Sequence, residues 1–220
     1  MAHINCFLCT HTFPEWYHAV EANAQLLRFA KGEVIFRQGE QIRGFYFLHS
    51  GSVKVHKHWV DDRELIIKFA GEGELLGHRA IGQDQLYPVS ATAVEPVTAC
   101  FITPAFFRTT LMANHEFAYQ VILFFANELQ KAEEGMRKLV QMDVKSRIAE
   151  NLLKLQSFFG RDDEGFIRST LTRQDIASYA GTTYETLFKT INEWEQEGWI
   201  TTSGKKIAII HPTSLEGVIR

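Results

Sequence analysis

The segment from residue 28 to residue 103 most constrains the fold, because it consists of short apolar runs separated by glycines. The runs typical of β-strands are Glu33–Phe36, Phe45–Leu48, Ser52–His58, Leu65–Phe69 and Val97–Ile102. Glycine between such runs supplies the positive φ or the close backbone approach that turns and bulges require. Many short strands without intervening helices favour an antiparallel sandwich or barrel-like roll over an alternating α/β fold.

A helical pattern replaces the strand pattern after this segment. Apolar residues recur at alternating intervals of four and three, at Ala118, Ile122, Phe125, Leu129, Ala132, Met136 and Leu139. This heptad repeat predicts a helix of about 25 residues with one apolar seam. The seam packs either on the roll or on the same seam of a second copy. A second stripe is available to face the roll, at Phe117, Val121 and Phe124, so we expect a homodimer.

Two short helices and a hairpin are predicted near the C-terminus, after a further helical stretch (Val144–Phe159) that follows Asp143. The boundary signals are a capping-box pattern at Thr172 and Asp175, a terminating Gly181, and Thr182 or Thr183 as the cap of the second helix. Leu187, Ile191 and Trp194 share one face of that second helix. The hairpin strands are Trp199–Thr202 and Ile207–Ile210. This succession is typical of a winged helix-turn-helix.

Composition and charge exclude several classes of protein. Of the 220 residues, 45% are hydrophobic and 22% are charged, which is enough apolar surface for a core and argues against disorder. The longest apolar run, Val121–Ala126, is far shorter than the roughly 20 residues of a membrane helix. The N-terminus has no secretory signal, so we expect a cytoplasmic protein without a membrane partner. The net charge of −3 gives no global basic field, and any DNA binding must therefore be local.

Three motifs near the C-terminus closely resemble the DNA-binding domain of the Crp/Fnr regulators, namely Thr172–Ala177, Gly181–Thr186 and Glu195–Ile200. Upstream, the segments that look like the family's cyclic-nucleotide-type β-roll are Gln38–Glu40, Gly51–Val55 and Gly73–Gly77. The resemblance covers the chain from about residue 25 to 211. It implies an α+β protein with a jelly-roll-like antiparallel β-roll, a long dimerisation helix and a winged helix-turn-helix.

The same resemblance implies the division of the chain and its function. We expect an N-terminal segment (1–24), an effector-sensing roll (25–113), a dimerisation helix (114–142) and a DNA-binding domain (143–220). The implied function is that of a sequence-specific transcription regulator rather than an enzyme. Its implied partners are double-stranded DNA with an inverted-repeat operator, a second copy of the chain and RNA polymerase.

The resemblance also implies which residues read DNA. Near the start of the second short helix, the residues placed to enter the major groove are Tyr184, Glu185, Phe188 and Lys189, with Thr183 and Thr186 on phosphates. Glu185 either accepts a hydrogen bond from a cytosine amino group or, as the third residue after Thr182, closes a capping box. Lys189 stands where the family usually has an arginine that grips guanine, and Phe188 replaces a small residue, so the operator sequence stays open.

Phosphate contacts are expected at two further places. Arg173 and Gln174 begin the first short helix, where the backbone N–H groups and the positive end of the helix dipole favour phosphate. Lys205 and Lys206 lie at the tip of the hairpin. The alternative is that all four side chains are solvated surface groups.

The sensing residues depart from those of cyclic-AMP-binding relatives. In those relatives a Gly-Glu pair, followed after a loop by an Arg-Ser pair, binds the ribose and the cyclic phosphate. Here the corresponding residues are Gly77, His78, Arg79 and Ala80, then Tyr87 to Ser90, with Ala132 and Glu133 at the helix positions that contact the adenine. Without the phosphate-binding arginine the pocket loses a charge-assisted hydrogen-bond pair. We therefore expect a small-molecule or redox signal other than cyclic AMP.

Cys6, Cys9 and Cys100 resemble the cysteine set with which the oxygen-sensing Fnr branch holds an iron–sulfur cluster. The set is one cysteine short, so His11 or His18 would have to complete it. A cluster-based or haem-based redox or gas sensor is therefore an alternative, as are a zinc site and a thiol switch. The remaining interpretation is that Cys6 and Cys9 lie in a loose terminus and that Cys100 is a small buried hydrophobe.

His56-x-His58, with Glu64 beyond it, is a partial match to the metal motif of cupin enzymes, which share a jelly-roll architecture. Strand alternation puts both histidines on one face, which is the minimum for a metal pair. A metal-dependent jelly-roll enzyme is thus the alternative from another class. The spacing to Glu64 is too long for that motif, and we expect both histidines to face solvent.

Overall fold

The computed structural model describes residues 6–58, 64–82, 84–169 and 171–219. Its contacts divide the chain into two compact units, Met1–Gln130 and Lys131–Arg220. Within the described residues the helices are α1 (Phe7–His11), α2 (Tyr17–Asn23), α3 (Pro104–Ala113), α4 (His115–Gln141), α5 (Val144–Phe159), α6 (Arg173–Tyr179), α7 (Tyr184–Gln196) and α8 (Pro212–Val218). The strands are β1 (Gln25–Phe29), β2 (Val34–Phe36), β3 (Phe45–Ser50), β4 (Val53–His58), β5 (Glu64–Ala70), β6 (Leu75–Leu76), β7 (Ser90–Ala93), β8 (Val97–Ile102), β9 (Ile200–Ser203) and β10 (Lys206–Ile209).

Two four-stranded antiparallel sheets form the roll of the first unit, as the strand pattern predicts. Their strand orders are β1-β8-β3-β6 and β2-β7-β4-β5. Val53, Val55 and Ala91 turn inward to the core between the sheets. Because successive strand residues point to opposite faces, His56 and Ser90 lie on the other face of the second sheet.

The N-terminal segment packs into a second core cluster of the same unit. This cluster joins Cys6, Leu8 and Val20 to Cys100 and Phe107. The interpretation that the cysteines lie in a loose terminus is therefore wrong for Cys6, which is only 1% exposed.

Helix α4 has the two faces that the heptad pattern predicts. Phe117 and Val121 are buried in the second cluster, and Phe124 packs against it. On the seam, Ile122 and Leu129 are 64% and 60% exposed. The second stripe thus faces the roll, and the exposed seam remains available for a partner.

The second unit contains the two short helices and the hairpin of the predicted winged helix-turn-helix. Leu187, Ile191 and Trp194 are buried, as predicted from their spacing. The capping box of α6 is also confirmed. Thr172 Oγ1 accepts a hydrogen bond from the Asp175 N–H at 3.1 Å, and Asp175 Oδ2 accepts one from the Thr172 N–H at 2.9 Å.

Several elements lie outside the sequence prediction. Strands β1, β6 and β7 and helix α3 have no counterpart in it. Each hairpin strand lies one residue closer to the turn than predicted, which leaves Gly204 and Lys205 between them. None of the helices in the described ranges is both long and apolar enough to cross a membrane.

Candidate functional site

The N-terminal half of α7 presents an exposed polar and aromatic surface. Tyr184 and Phe188 are 42% and 50% exposed, and their stacked rings have centroids 6.1 Å apart. Glu185 and Lys189 are exposed beside them. Because buried Leu187 anchors the opposite face of the helix in the core, the four exposed side chains project from a fixed support.

Thr183 caps α7, and this corrects one of the two predicted roles of Glu185. Thr183 Oγ1 accepts a hydrogen bond from the Thr186 N–H at 3.2 Å, so the helix begins one residue later than a capping box from Thr182 to Glu185 requires. The Glu185 backbone N–H, and then the Thr183 hydroxyl, lower the pKa of the exposed Glu185 carboxyl. The carboxylate is therefore ionised and turned toward the start of the helix.

The other residues expected at phosphates differ in how strongly the unit holds them. Gln174 is exposed, whereas Arg173 is partly buried and its Nη2 donates to the Lys206 carbonyl oxygen at 3.5 Å. Burial lowers the pKa of Arg173. Lys206 Nζ is held by Asp162 Oδ2 at 2.9 Å, and Lys205 is exposed in the hairpin turn. Lys205 therefore presents its charge outward, while the charge of Lys206 is compensated within the unit.

A small cavity of about 10 Å³ lies in the roll of the first unit, and its lining includes Gly77, His78, Arg79 and Tyr87. Ala80 is buried on the same helical turn as His78. Ser90 does not line this cavity. Val55 of β4 lines it, whereas Ser90 lines a separate cleft on the other face of the second sheet. A cavity of this size holds about one water molecule.

Glu128 of α4 brings a buried carboxylate to the edge of this cavity. Its Oε2 lies 3.0 Å from Lys68 Nζ, 3.7 Å from Arg79 Nη2 and 3.9 Å from His78 Nε2. His78 Nδ1 donates to the Leu75 carbonyl oxygen at 2.8 Å. Burial, followed by the charges of Lys68 and Arg79, lowers the pKa of His78 to about 4. At neutral pH, His78 is therefore uncharged and the lysine and the arginine face the carboxylate.

The three cysteines meet between α1 and β8. Cys6 and Cys100 are buried, Cys9 is half-buried, and all three are free thiols. Hydrogen bonds to Cys100 and Cys9 lower the pKa of Cys6, although burial opposes the shift. The hydrogen bond to Cys6, together with burial, raises the pKa of Cys9 and of Cys100. Cys6 is therefore the thiol that contacts both of the others.

The two histidines that were to complete an iron–sulfur ligand set are placed differently. The ring of His11 packs against Phe7 with centroids 4.6 Å apart, and the His18 side chain is 97% exposed beside Glu21. Iron–sulfur clusters are usually held by four cysteines. Among the residues that the structure describes, the three cysteines meet without a fourth ligand that completes this donor set.

His56, His58 and Glu64 come together on the β4–β5 hairpin, which corrects two expectations. In the antiparallel register His58 lies opposite Glu64, so the two residues are neighbours across the hairpin although their spacing in the sequence is too long for the cupin motif. His56 is 6% exposed rather than facing solvent, while the His58 side chain is 51% exposed. Burial raises the pKa of Glu64, but the contact with His56 and the charge of Lys54 outweigh it and lower the pKa to about 2.

Comparison with known proteins agrees with this architecture. Residues 26–114 match the cyclic nucleotide-binding domain, and residues 146–218 match the Crp-like helix-turn-helix domain. The anaerobic regulatory protein of Haemophilus influenzae is 30% identical over 192 residues, which cover 86% of this chain and 73% of that protein. This chain belongs to the Crp/Fnr family.

Further Crp/Fnr relatives correspond over most of their length. The CRP-like cAMP-activated global transcriptional regulator of Mycobacterium tuberculosis is 28% identical over 198 residues, covering 89% of this chain and 88% of that protein. The structure of FixK2 from Bradyrhizobium japonicum matches with a TM-score of 0.76 at 22% identity, covering 90% of this chain and 98% of that one, and this likeness concerns the fold. The predicted family, fold class and function as a DNA-binding transcription regulator are confirmed.

Glu128 is the residue of this Crp/Fnr regulator that sequence reasoning missed. The signal was available, because Glu128 follows Val121 by seven residues and so continues the stripe that faces the roll. Ala132 and Glu133, which were expected at the effector, belong to the second unit and are exposed on α4.

Proposed function

We propose that this Crp/Fnr regulator is a cytoplasmic homodimer that acts by binding DNA rather than by catalysis. We also propose that RNA polymerase is its protein partner on the DNA. Each copy would place its α7 in the major groove of one half of an inverted-repeat operator. The observation that carries this proposal is the outward-facing start of α7, whose opposite face is buried. The major groove of B-DNA is wide enough for such a helix.

The exposed side chains of α7 then have distinct tasks. Glu185 accepts from a cytosine amino group, and Lys189 donates to the O6 and N7 edge of guanine. Phe188 packs on a thymine methyl group, with Tyr184 stacked behind it. These contacts read sequence, whereas phosphate contacts set the position of the protein on the duplex.

The remaining residues are assigned to the DNA backbone. Thr183, Thr186, Gln174 and Lys205 contact phosphates around the groove. Arg173 steadies the hairpin through the Lys206 carbonyl oxygen, so its own contribution to phosphate binding is smaller than its charge suggests.

Selection from random double-stranded DNA with the purified protein tests the proposal. We expect an inverted repeat whose half-site centres lie about 10–11 base pairs apart, because two recognition helices enter successive major grooves. Lys189→Ala should weaken binding to the selected operator by about 1–3 kcal/mol and relax the sequence specificity at one base pair per half-site. Lys154→Ala, which removes a surface lysine of α5 paired with Glu150, is the matched control. Selections with and without oxygen that return no inverted repeat would refute the proposal.

We further propose that the roll receives a small-molecule signal other than cyclic AMP. The cavity of about 10 Å³ is too small for a nucleotide as it stands, and the Glu128 carboxylate already neutralises the cations beside it. An anionic cyclic phosphate would be repelled by that carboxylate and would find no arginine free to bind it among the described residues that line the cavity. Titration calorimetry with cyclic AMP should give no binding heat, and micromolar affinity would contradict this assignment.

A redox signal is the second candidate, and the contact of Cys6 with both Cys9 and Cys100 favours it. Mild oxidation of the purified protein should change operator affinity in the wild type but not in Cys6→Ser. An absorption spectrum of anaerobically purified protein separates a haem, an iron–sulfur cluster and a colourless thiol site. Equal operator affinity before and after oxidation of the wild type would exclude a thiol switch.

A further inference from the structure

The DNA-binding function does not use the cluster of His56, His58 and Glu64. We propose that these three side chains form a binding site for a divalent transition-metal ion, with zinc as the expected occupant. Their ligand atoms all lie within 4.8 Å of one another. Two imidazole nitrogens and one carboxylate oxygen are donors that zinc commonly takes.

The hairpin holds the three ligands at nearly the required spacing. His56 Nδ1 lies 2.6 Å from Glu64 Oε1, and His58 Nε2 lies 3.9 Å from the same oxygen. Ligand atoms about 2.1 Å from a tetrahedral zinc ion are about 3.4 Å apart. Side-chain shifts of about 1 Å therefore suffice, and the backbone register of β4 and β5 is unchanged.

The environment of His56 suits a bound cation. His56 Nδ1 is buried and lies against Glu64 Oε1, in a contact that does not have the geometry of an aligned hydrogen bond. A cation between these two atoms would satisfy both of them. The other ring nitrogen, Nε2, lies 2.9 Å from Thr92 Oγ1. Such a bond at the second nitrogen fixes the orientation of metal-binding histidines.

The site opens onto a cleft and so has room for a further ligand. His56 and His58 line a cleft of about 420 Å³ together with Arg37, Gln38 and Ser90. Three protein ligands leave the fourth position of zinc for water or a small anion. This cleft and the cavity beside Glu128 lie on opposite faces of the second sheet, because the neighbouring β4 residues His56 and Val55 line the first and the second, respectively.

Lys54 sets an expectation about affinity. Its Nζ lies 3.1 Å from Glu64 Oε1 and 3.1 Å from Glu64 Oε2. A metal ion at Oε1 must share the carboxylate with this ammonium group. The metal ion and the ammonium group are both positively charged, so they repel each other. Removing the lysine charge should therefore tighten metal binding, whereas a merely structural ion pair predicts no such gain.

Equilibrium dialysis of the tag-free, full-length protein against zinc, with cobalt(II) as a spectroscopic probe, tests the site. We expect one ion per chain and a cobalt spectrum without thiolate charge-transfer bands. His58→Ala should lower the affinity at least tenfold, and Lys54→Gln should raise it. His18→Ala, which removes another exposed histidine, and Cys6→Ser should both bind as the wild type does.

The proposal is independent of the DNA-binding function, so operator selection and metal binding can fail separately. Because His58 is half exposed, its replacement should leave the thermal unfolding of the metal-free protein unchanged, and zinc should raise the unfolding temperature of the wild type only. Undiminished zinc affinity in His58→Ala would overturn the proposal. Loss of the ion in Cys6→Ser would also overturn it, because the metal would then belong to the thiols.

Discussion

Replacing Leu129 by alanine tests the proposed dimer at the centre of the α4 seam. Burying a whole leucine side chain stabilises by about 1.5–3 kcal/mol. Leu129 is 60% exposed in a single chain, so covering that fraction is worth about 1–2 kcal/mol per copy. The two-fold axis of the dimer repeats the contact in both copies, so the two Leu129 side chains stabilise the dimer by about 2–4 kcal/mol. The dissociation constant should therefore rise about 30- to 1,000-fold.

Sedimentation equilibrium from nanomolar to micromolar concentration measures this change directly. Alanine has the highest helix propensity, so α4 itself remains intact in the variant. Met112→Ala is the matched control, because Met112 is 80% exposed on α3 and lies off the seam. If the wild type is monomeric at micromolar concentration, or if Leu129→Ala dimerises as tightly as the wild type, the reasoning from the seam is wrong.

Two further predictions concern the hairpin and the roll. Lys205→Ala should weaken binding to all DNA sequences alike and flatten the salt dependence of affinity, as the loss of a phosphate contact does; fluorescence anisotropy at several salt concentrations measures this, and a loss confined to the operator would contradict it. The pKa of His78 is lowered from 6.5 to about 4. As the pH falls, His78 is therefore protonated in the unfolded chain before it is protonated in the folded one. The stability that neutral His78 provides is complete above about pH 6.5 and is lost as the pH falls to about 4, by about 3 kcal/mol at most. Urea unfolding at pH 7 and pH 4.5 should show this loss in the wild type but not in His78→Gln, and equal losses in both would refute it.

Local patterns were sufficient to predict the long helix and the DNA-binding unit. The heptad spacing around Val121 and Leu129 reports both faces of α4, because helical periodicity is a property of the sequence alone. The start of α6 is likewise encoded within four residues, from Thr172 to Asp175. Strand β7 (Ser90–Ala93) was missed, because Thr92 is its only residue of a type that is enriched in strands. Its place between β2 and β4 holds it in the sheet.

The parts of the candidate sites that sequence reasoning missed depend on pairing across the fold. Glu64 reaches His58 only through the antiparallel register of β4 and β5. The proximity of Cys6 to Cys100, which the resemblance to the Fnr branch implies, likewise depends on α1 packing against the roll. Neither contact follows from spacing along the chain, because residues distant in sequence are brought together only when the strands and helices have packed.

Glu128 connects the small cavity of the roll to the face of α4 that carries Leu129. Glu128 and Leu129 are consecutive, so they point about 100° apart around the helix. The pairing of Glu128 with Lys68 and Arg79 therefore fixes the rotation at which Leu129 faces outward. Loss of that pairing would therefore allow Leu129 to turn with the helix.

Glu128→Gln tests this coupling, because it keeps the size of the side chain and removes its charge. Lys68 keeps its contact with Glu74 at 2.8 Å, so we expect a loss of only about 1–3 kcal/mol in the free energy of unfolding. The variant should also dimerise more weakly, since the seam is no longer held at one rotation. Glu133→Gln, an exposed glutamate on the same helix, is the control that should change neither quantity. Equal dimer affinity in Glu128→Gln and the wild type would show that the roll does not set the rotation of the seam.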